Sequence, residues 1–165
     1  MSVEIVVGYV PGALGRIVEL HGAYYWRHAG FGLYFESKVA CELSEFLRRM
    51  DSARDGIWLA LCNGRVEGAI VIDGAKGESE GAHLRWFIVS EAMRGLGLGG
   101  KLIAAALDHC HRQNFSKAYL WTFEGLHAAR HLYEKHGFRL TEHRRGKQWG
   151  AEVNEQRFEA LLSRF

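Results

Sequence analysis

The chain reads as an α/β domain, and three observations predict it. Strand-length apolar runs alternate with helix-periodic segments over residues 82–138. Asn63-Gly64, a favoured hairpin dipeptide, joins two further apolar runs. Ahead of these, residues 13–50 carry two amphipathic helical patterns, with Gly30 and Gly32 marking the break between them. At 165 residues the chain has the length of one domain and can bury a sizeable core.

The elements follow in order. Residues 3–10 alternate loosely and predict a first strand, ended by Pro11-Gly12; Pro11, the only proline, suits the first turn of a helix. Helices are expected over 13–28 and 31–50, then strands over 56–61 and 66–73. A polar, glycine-containing loop, 76–81, leads into a strand over Ala82-His83-Leu84-Arg85-Trp86-Phe87-Ile88-Val89. After a glycine-rich turn, Leu102, Ile103, Ala106, Leu107 and Cys110 recur at helical spacing. Residues 117–122 read as a strand, 128–137 as a helix, and 138–145 and 149–158 as closing strands. The predicted order is β-α-α-β-β-β-α-β-α-β-β. No linker, repeat or low-complexity segment divides residues 1–165 into a second domain.

Composition excludes several function classes. A net charge of +2 argues against nucleic acid or an anionic membrane as partner, and the run His143-Arg144-Arg145 with Lys147 suits a solvated strand face. No apolar stretch approaches 18 residues, and the N-terminus lacks an export pattern, so a cytoplasmic protein is expected. Cys41, Cys62 and Cys110 show no C-x-x-C spacing and suit buried free thiols in a reducing compartment. His127 and His131 stand four apart, but no third ligand supports a metal site, and none is expected.

The turn Arg94-Gly95-Leu96-Gly97-Leu98-Gly99-Gly100-Lys101 carries the chemistry. Between a strand and a helix it presents side-chain-free N–H groups at the positive end of the helix, a site for a phosphorylated ligand. A P-loop reading fits Gly95 to Lys101 but fails at Leu102, where a Ser or Thr must bind magnesium. Gly95, Gly97 and Gly100 also match the dinucleotide fingerprint. That fingerprint needs its first glycine directly at the strand end, whereas Ser90 to Arg94 intervene here.

Arg94-x-x-Gly97-x-Gly99, five residues beyond a strand, resembles the acyl-CoA-binding turn of the GNAT superfamily, the GCN-related N-acetyltransferases. The segment Ala128-Ala129-Arg130-His131-Leu132-Tyr133-Glu134-Lys135-His136-Gly137-Phe138 is similar to the second motif of that family, A-x-x-L-Y-x-x-x-G-F. The resemblance spans the predicted order from end to end. It implies a three-layer α+β arrangement around a mixed, mostly antiparallel central sheet. Gly-Ala-Leu-Gly-Arg near residue 12, His21-Gly22, Phe35-Glu36 and Glu155-Gln156-Arg157-Phe158 also look like the acetyltransferase half of proteins fusing a MarR-type regulator to such a domain.

By this resemblance the chain is an acetyl-CoA-dependent N-acetyltransferase working by direct transfer in a ternary complex. Phe87, Ile88 and Val89 would supply main-chain groups to the pantetheine arm. Arg94, Gly95, Leu96, Gly97, Leu98, Gly99 and Gly100 would hold the pyrophosphate, with side chains at Gly97 or Gly99 expected to clash with it. Tyr133 aligns with the tyrosine many members use as general acid. His83, eleven residues before Arg94, stands where the histone-modifying branch keeps a glutamate base, and histidine titrates near neutral pH. Glu78, Glu80 and Glu124 are fallback bases. One position departs: Leu126 replaces the family's usual asparagine, so an inactive CoA- or acyl-CoA-binding regulatory module is the alternative.

Tyr24, Tyr25, Trp26, His28, Phe31, Tyr34 and Phe35 fall where such proteins shape the acceptor site, and Trp86 and Trp121 flank the expected cleft. With Glu19 or Glu36 nearby, this suits a small primary amine bearing an apolar group, although aromatics at helical spacing also build cores. A protein or peptide N-terminus is the second acceptor reading. A homodimer is compatible with the resemblance.

Overall fold

The computed structural model describes residues 2–162. In chain order it contains β1 (Val3–Val7), α1 (Ala13–Ala29), α2 (Leu33–Arg49), β2 (Gly56–Cys62), β3 (Arg65–Asp73), β4 (Ala82–Val89), α3 (Leu98–Arg112), β5 (Lys117–Phe123), α4 (His127–Lys135), β6 (Arg139–Gly146) and β7 (Val153–Leu161). A single 3-10 turn, Glu91–Met93, separates β4 from the glycine turn.

The helices form where apolar residues repeat every three or four positions. α2 turns Phe35, Val39, Leu43 and Phe46 inward, and α3 turns Leu98, Leu102, Ile103, Ala106 and Cys110 inward. The strands form one seven-stranded sheet in the order β1-β2-β3-β4-β5-β7-β6. Every neighbouring pair is antiparallel except β4 with β5. Helices cover both faces. α3 and α4 close one core over Trp58, Ile70, Leu84, Leu120, Phe138 and Phe158. α1 and α2 close the other over Ile57, Leu59, Val71 and Ile88, with Ile17, Leu43 and Phe46 inserted from the helices. Each fully buried side chain such as Phe46 contributes about 1.5–3 kcal/mol.

Several boundaries differ from expectation. β1 stops at Val7 because Gly8 takes φ 100°, and Val10 turns its carbonyl to the Ala13 amide instead. Pro11 lies in the turn before α1, whose cap is the left-handed Gly12. The last strand runs over Val153–Leu161, not 149–158: Gly150, at φ 94°, closes a turn on the Lys147 carbonyl, and β7 pairs with β5 as far as Leu161. Cys62 and Cys110 are buried as expected, but Cys41 is exposed, on the outer side of α2. Among the described residues, no helix is long and apolar enough to cross a membrane, and no group of three or more metal-ligating side chains forms.

Two features of β4 open the molecule. Between Ala69↔Ile88 and Val71↔Arg85 the register slips, so β4 carries one residue more than β3. Trp86 sits in this bulge at φ 46°, a left-handed conformation that few non-glycine residues adopt. The bulge bends β4, which stays paired with β5 only at Ala82↔Ala118 and His83↔Tyr119. Beyond that point the strands part, leaving main-chain groups along the second half of β4 without a strand partner on the β5 side.

Candidate active site

The parted strands make a cavity of about 230 Å³. His83, Arg85, Trp86 and Phe87 wall it from β4, and Trp121 and Phe123 from β5. Tyr25 of α1 and Phe35, Lys38 and Glu42 of α2 close one side; Tyr133 of α4 closes another. Aromatic packing stiffens the walls: Tyr25 meets Phe35 at 5.1 Å and Phe123 at 5.9 Å between centroids, and Trp149 meets Phe123 at 5.5 Å.

Tyr133 reaches the cavity from the α4 side of the sheet, packed near Phe87, Phe138 and Phe158. It is 7% exposed, and its hydroxyl has no hydrogen-bond partner among the described residues. Burial pushes its phenol above the ordinary value, and the phenols of Tyr25 and Tyr24 add to the push. The proton therefore stays on the oxygen at any working pH.

His83 lies on the opposite wall, stacked on Tyr119 at 4.4 Å. Burial, reinforced by Arg85 and Arg157, pushes its imidazole down to about 3. The expectation of a group titrating near neutral pH is corrected here: the ring is neutral throughout the physiological range, because burial and, after it, the cations beside it make a positive charge on the ring costly.

The fallback carboxylates lie elsewhere. Glu80 accepts from the Tyr119 hydroxyl at 3.2 Å, Glu124 accepts from Asn154 at 2.6 Å, and Glu78 stands in the β3–β4 loop beside Phe115. Glu19 pairs with Arg16, and the Glu36 carboxylate lies against Gly22. The carboxylate on the cavity wall is Glu42, bound to Lys38 at 2.7 Å and to Arg85 at 3.1 Å. Arg85 in turn covers the Trp86 ring at 4.0 Å and reaches Asp73 at 3.3 Å. Sequence reasoning missed Lys38, Glu42 and Arg85. The i, i+4 spacing of Lys38 and Glu42, beside the inward Phe35 and Val39, was the available signal.

The glycine turn lies where β4 ends. Gly95 and Gly97 take φ 78° and 79°, and Gly97 caps α3. None of the amides from Gly95 to Gly100 donates to a carbonyl among the described residues, because the first turn of a helix has no partner for them. They form an anion cradle at the positive end of α3. A Cβ on Gly97 would meet nothing within 4 Å, so that glycine is required by its backbone angle. A Cβ on Gly99 would come within 2.9 Å of Leu132 and 3.3 Å of Phe87, so its bareness also lets α3 seat against α4. Arg94 is exposed, its guanidinium over Tyr24 at 4.3 Å and 3.4 Å from the Val89 carbonyl. Ser90, between Val89 and the 3-10 turn, holds the one sealed side-chain oxygen without a partner among the described residues. Leu126 caps α4 and joins an apolar cluster with Phe31, Phe35 and Phe123. An apolar contact thus stands where the resemblance expected a polar one.

The site thus combines a splayed parallel strand pair, a turn of free amides at its mouth and a tyrosine on its wall. The description Acetyltransferase (GNAT) family matches residues 21–138, and the chain belongs to that family. Solved structures agree on the fold. An acetyltransferase from Streptococcus agalactiae superposes with a TM-score of 0.75 at 20% identity, covering 97% of this chain and 98% of its own. A GNAT-family acetyltransferase from Staphylococcus aureus superposes at 0.72 and 18% identity, covering 98% and 100%. A GNAT-family acetyltransferase from Elizabethkingia anophelis with acetyl-CoA bound superposes at 0.68 and 16% identity, covering 97% and 98%. No curated protein matches the chain.

Proposed function

We propose that this protein transfers an acetyl group from acetyl-CoA to the nitrogen of a small primary amine. The observation that carries the reading is the pairing of the free amides at Gly95–Gly100 with the unpaired edge of β4, which opens into an aromatic cavity. The cradle suits a pyrophosphate, the edge of Phe87, Ile88 and Val89 suits an amide-containing arm, and Gly99 leaves no side chain in the way. The acetyl-CoA-bound relative supports the same donor.

In this reading the amine attacks as its free base. A main-chain N–H near Ile88 or Val89 stabilises the charge developing on the acetyl oxygen. His83, neutral and costly to protonate, accepts a hydrogen bond from the water that carries away the proton shed by the attacking nitrogen. Tyr133 gives its proton to the departing sulfur, so the bond to sulfur breaks without releasing a free thiolate. The aromatic side chains in the walls and the size of the cavity favour a small acceptor over a protein N-terminus.

Calorimetric titration tests the donor. Acetyl-CoA is expected to bind in the micromolar range while ATP and NADH do not; absence of acetyl-CoA binding would overturn the reading. Gly97→Ala should weaken that binding by roughly ten-fold, because the left-handed angle costs a side chain about 1–2 kcal/mol. Equal binding by the variant would remove the turn from the site.

The pH dependence is equally specific. His21 of α1 also lines the cavity, and burial pushes its imidazole down to about 4. With His21 and His83 both neutral, kcat/KM for the amine should rise along the amine's own titration. No enzyme inflection is expected between about pH 5 and pH 8. Two amines of different basicity check this, since the profile should move with the amine. An inflection near neutrality that stays in place would show a titrating enzyme base.

A further inference from the structure

α1 turns a second histidine into the same cavity. His21 is 5% exposed and lines the cavity wall. Its Nδ1 lies 2.8 Å from the Ile17 carbonyl, one turn back along the helix. A carbonyl can only accept, so Nδ1 carries the proton and the ring is held as one tautomer. Nε2 keeps a bare lone pair and finds no partner among the described residues. The one sealed, unpartnered side-chain atom is Ser90 Oγ, so Nε2 is open to the cavity rather than shut in the core.

The surroundings decide what this lone pair can take. Tyr25 stacks beside the ring at 6.1 Å. Lys38 and Glu42 face the cavity from α2, His83 and Arg85 from β4, and Tyr133 from α4. Glu42 has one oxygen on Lys38 and the other on Arg85, and Asp73 behind them is held by Arg49 and Arg85. The carboxylates are therefore already paired with cations, while the cations keep spare N–H donors. An ammonium entering here finds no free anion. A neutral amine, which brings two N–H donors and needs its own lone pair free, finds an acceptor in an uncharged imidazole.

We propose that His21 Nε2 accepts an N–H of the acceptor, and that the acceptor is a monoamine carried on a flat apolar body. This rests on the acetyl-transfer reading above. The hydrogen bond holds the nitrogen uncharged and turns its lone pair away from His21 for attack. The rings of Trp86, Trp121 and Trp149 receive the apolar body, and Lys38 and Arg85 repel a second ammonium.

Two variants separate this role from a structural one. His21→Asn keeps an N–H near Cβ for the Ile17 carbonyl but places no acceptor at the Nε2 position. His21→Gln loses that back-bond and extends a polar terminus to where Nε2 stood. Thiol release from acetyl-CoA is followed with tryptamine, 2-phenylethylamine and the diamine putrescine. His21→Asn should raise KM for tryptamine roughly ten-fold and leave KM for acetyl-CoA unchanged, and His21→Gln should recover most of the loss. Putrescine should be a poor acceptor for the wild type. Equal tryptamine KM in the wild type and His21→Asn, or no recovery in His21→Gln, overturns the role of His21. Putrescine turnover matching that of tryptamine overturns the acceptor class. A wild type that binds acetyl-CoA but releases no thiol with any of these amines overturns the acceptor class, whereas one that does not bind acetyl-CoA overturns the acetyl-transfer reading, and this inference with it.

Discussion

Tyr133→Phe is expected to lower turnover by tens-fold or more while leaving acetyl-CoA affinity nearly intact. The ring contributes to the core through Phe87, Phe138 and Phe158, and phenylalanine keeps those contacts. Only the hydroxyl is lost, and within the described protein it holds no partner whose loss would destabilise the fold. The thermal midpoint should therefore move little. The departing thiolate would have to take its proton from water, which is slower than transfer from a positioned donor. The decisive comparison sets single-turnover kinetics beside calorimetric acetyl-CoA binding. Undiminished turnover would remove Tyr133 as the acid, and equal losses of turnover and affinity would make it a packing residue.

Asp73→Ala should cost about 2–3 kcal/mol of folding stability, read by urea denaturation. Asp73 is buried at the end of β3, where it accepts from Arg49 at 2.7 Å, from Arg85 at 3.3 Å and from the Ala75 amide at 3.1 Å. Its removal orphans those donors and frees Arg85 from one of its two anchors, so amine KM should rise as well. A loss below about 0.5 kcal/mol would show the cluster to be solvent-screened. The acid range offers a second reading. Burial pushes the Asp73 carboxyl upward, but the Arg49 hydrogen bond, the Ala75 amide and the charges of Arg49 and Arg85 hold it below its ordinary value of 3.8. A group depressed in the folded state contributes stability above its unfolded value and loses it as pH falls through the folded one. The wild type should therefore lose part of its stability below about pH 4, and Asp73→Ala should lose less over that interval.

Much of the fold was legible because its signals are local. The Asn63-Gly64 turn takes positive φ at both positions and closes the β2–β3 hairpin, as that dipeptide favours. The inward faces of α2 and α3 follow from spacing alone. The errors were local competitions that spacing does not resolve. Gly8 ends β1 early and Gly150 delays β7.

The site divides along the same line. Gly95 to Gly100 could be read as an anion cradle from sequence, since glycines before a helix leave its first amides free wherever the domain places them. Tyr133 could be named by its motif. His83 could be named but not understood, because its protonation depends first on burial and then on Arg85, two residues along β4, and Arg157, which β7 brings from far along the chain. The Lys38–Glu42–Arg85 cluster unites α2 with β4, 43 residues apart in the closest case. The tautomer of His21 rests on a helix carbonyl, and the openness of its other nitrogen rests on a cavity that exists only because β4 parts from β5.

The sequence by itself determined the order of the elements, the family and the glycine turn with its free amides, all of which rest on backbone preferences and on patterns within a few tens of residues. The tertiary structure alone decided which charges are paired, which imidazoles are neutral and what the acceptor meets. Burial and Coulomb interaction depend on distances across the sheet, and a linear order of residues does not contain those distances.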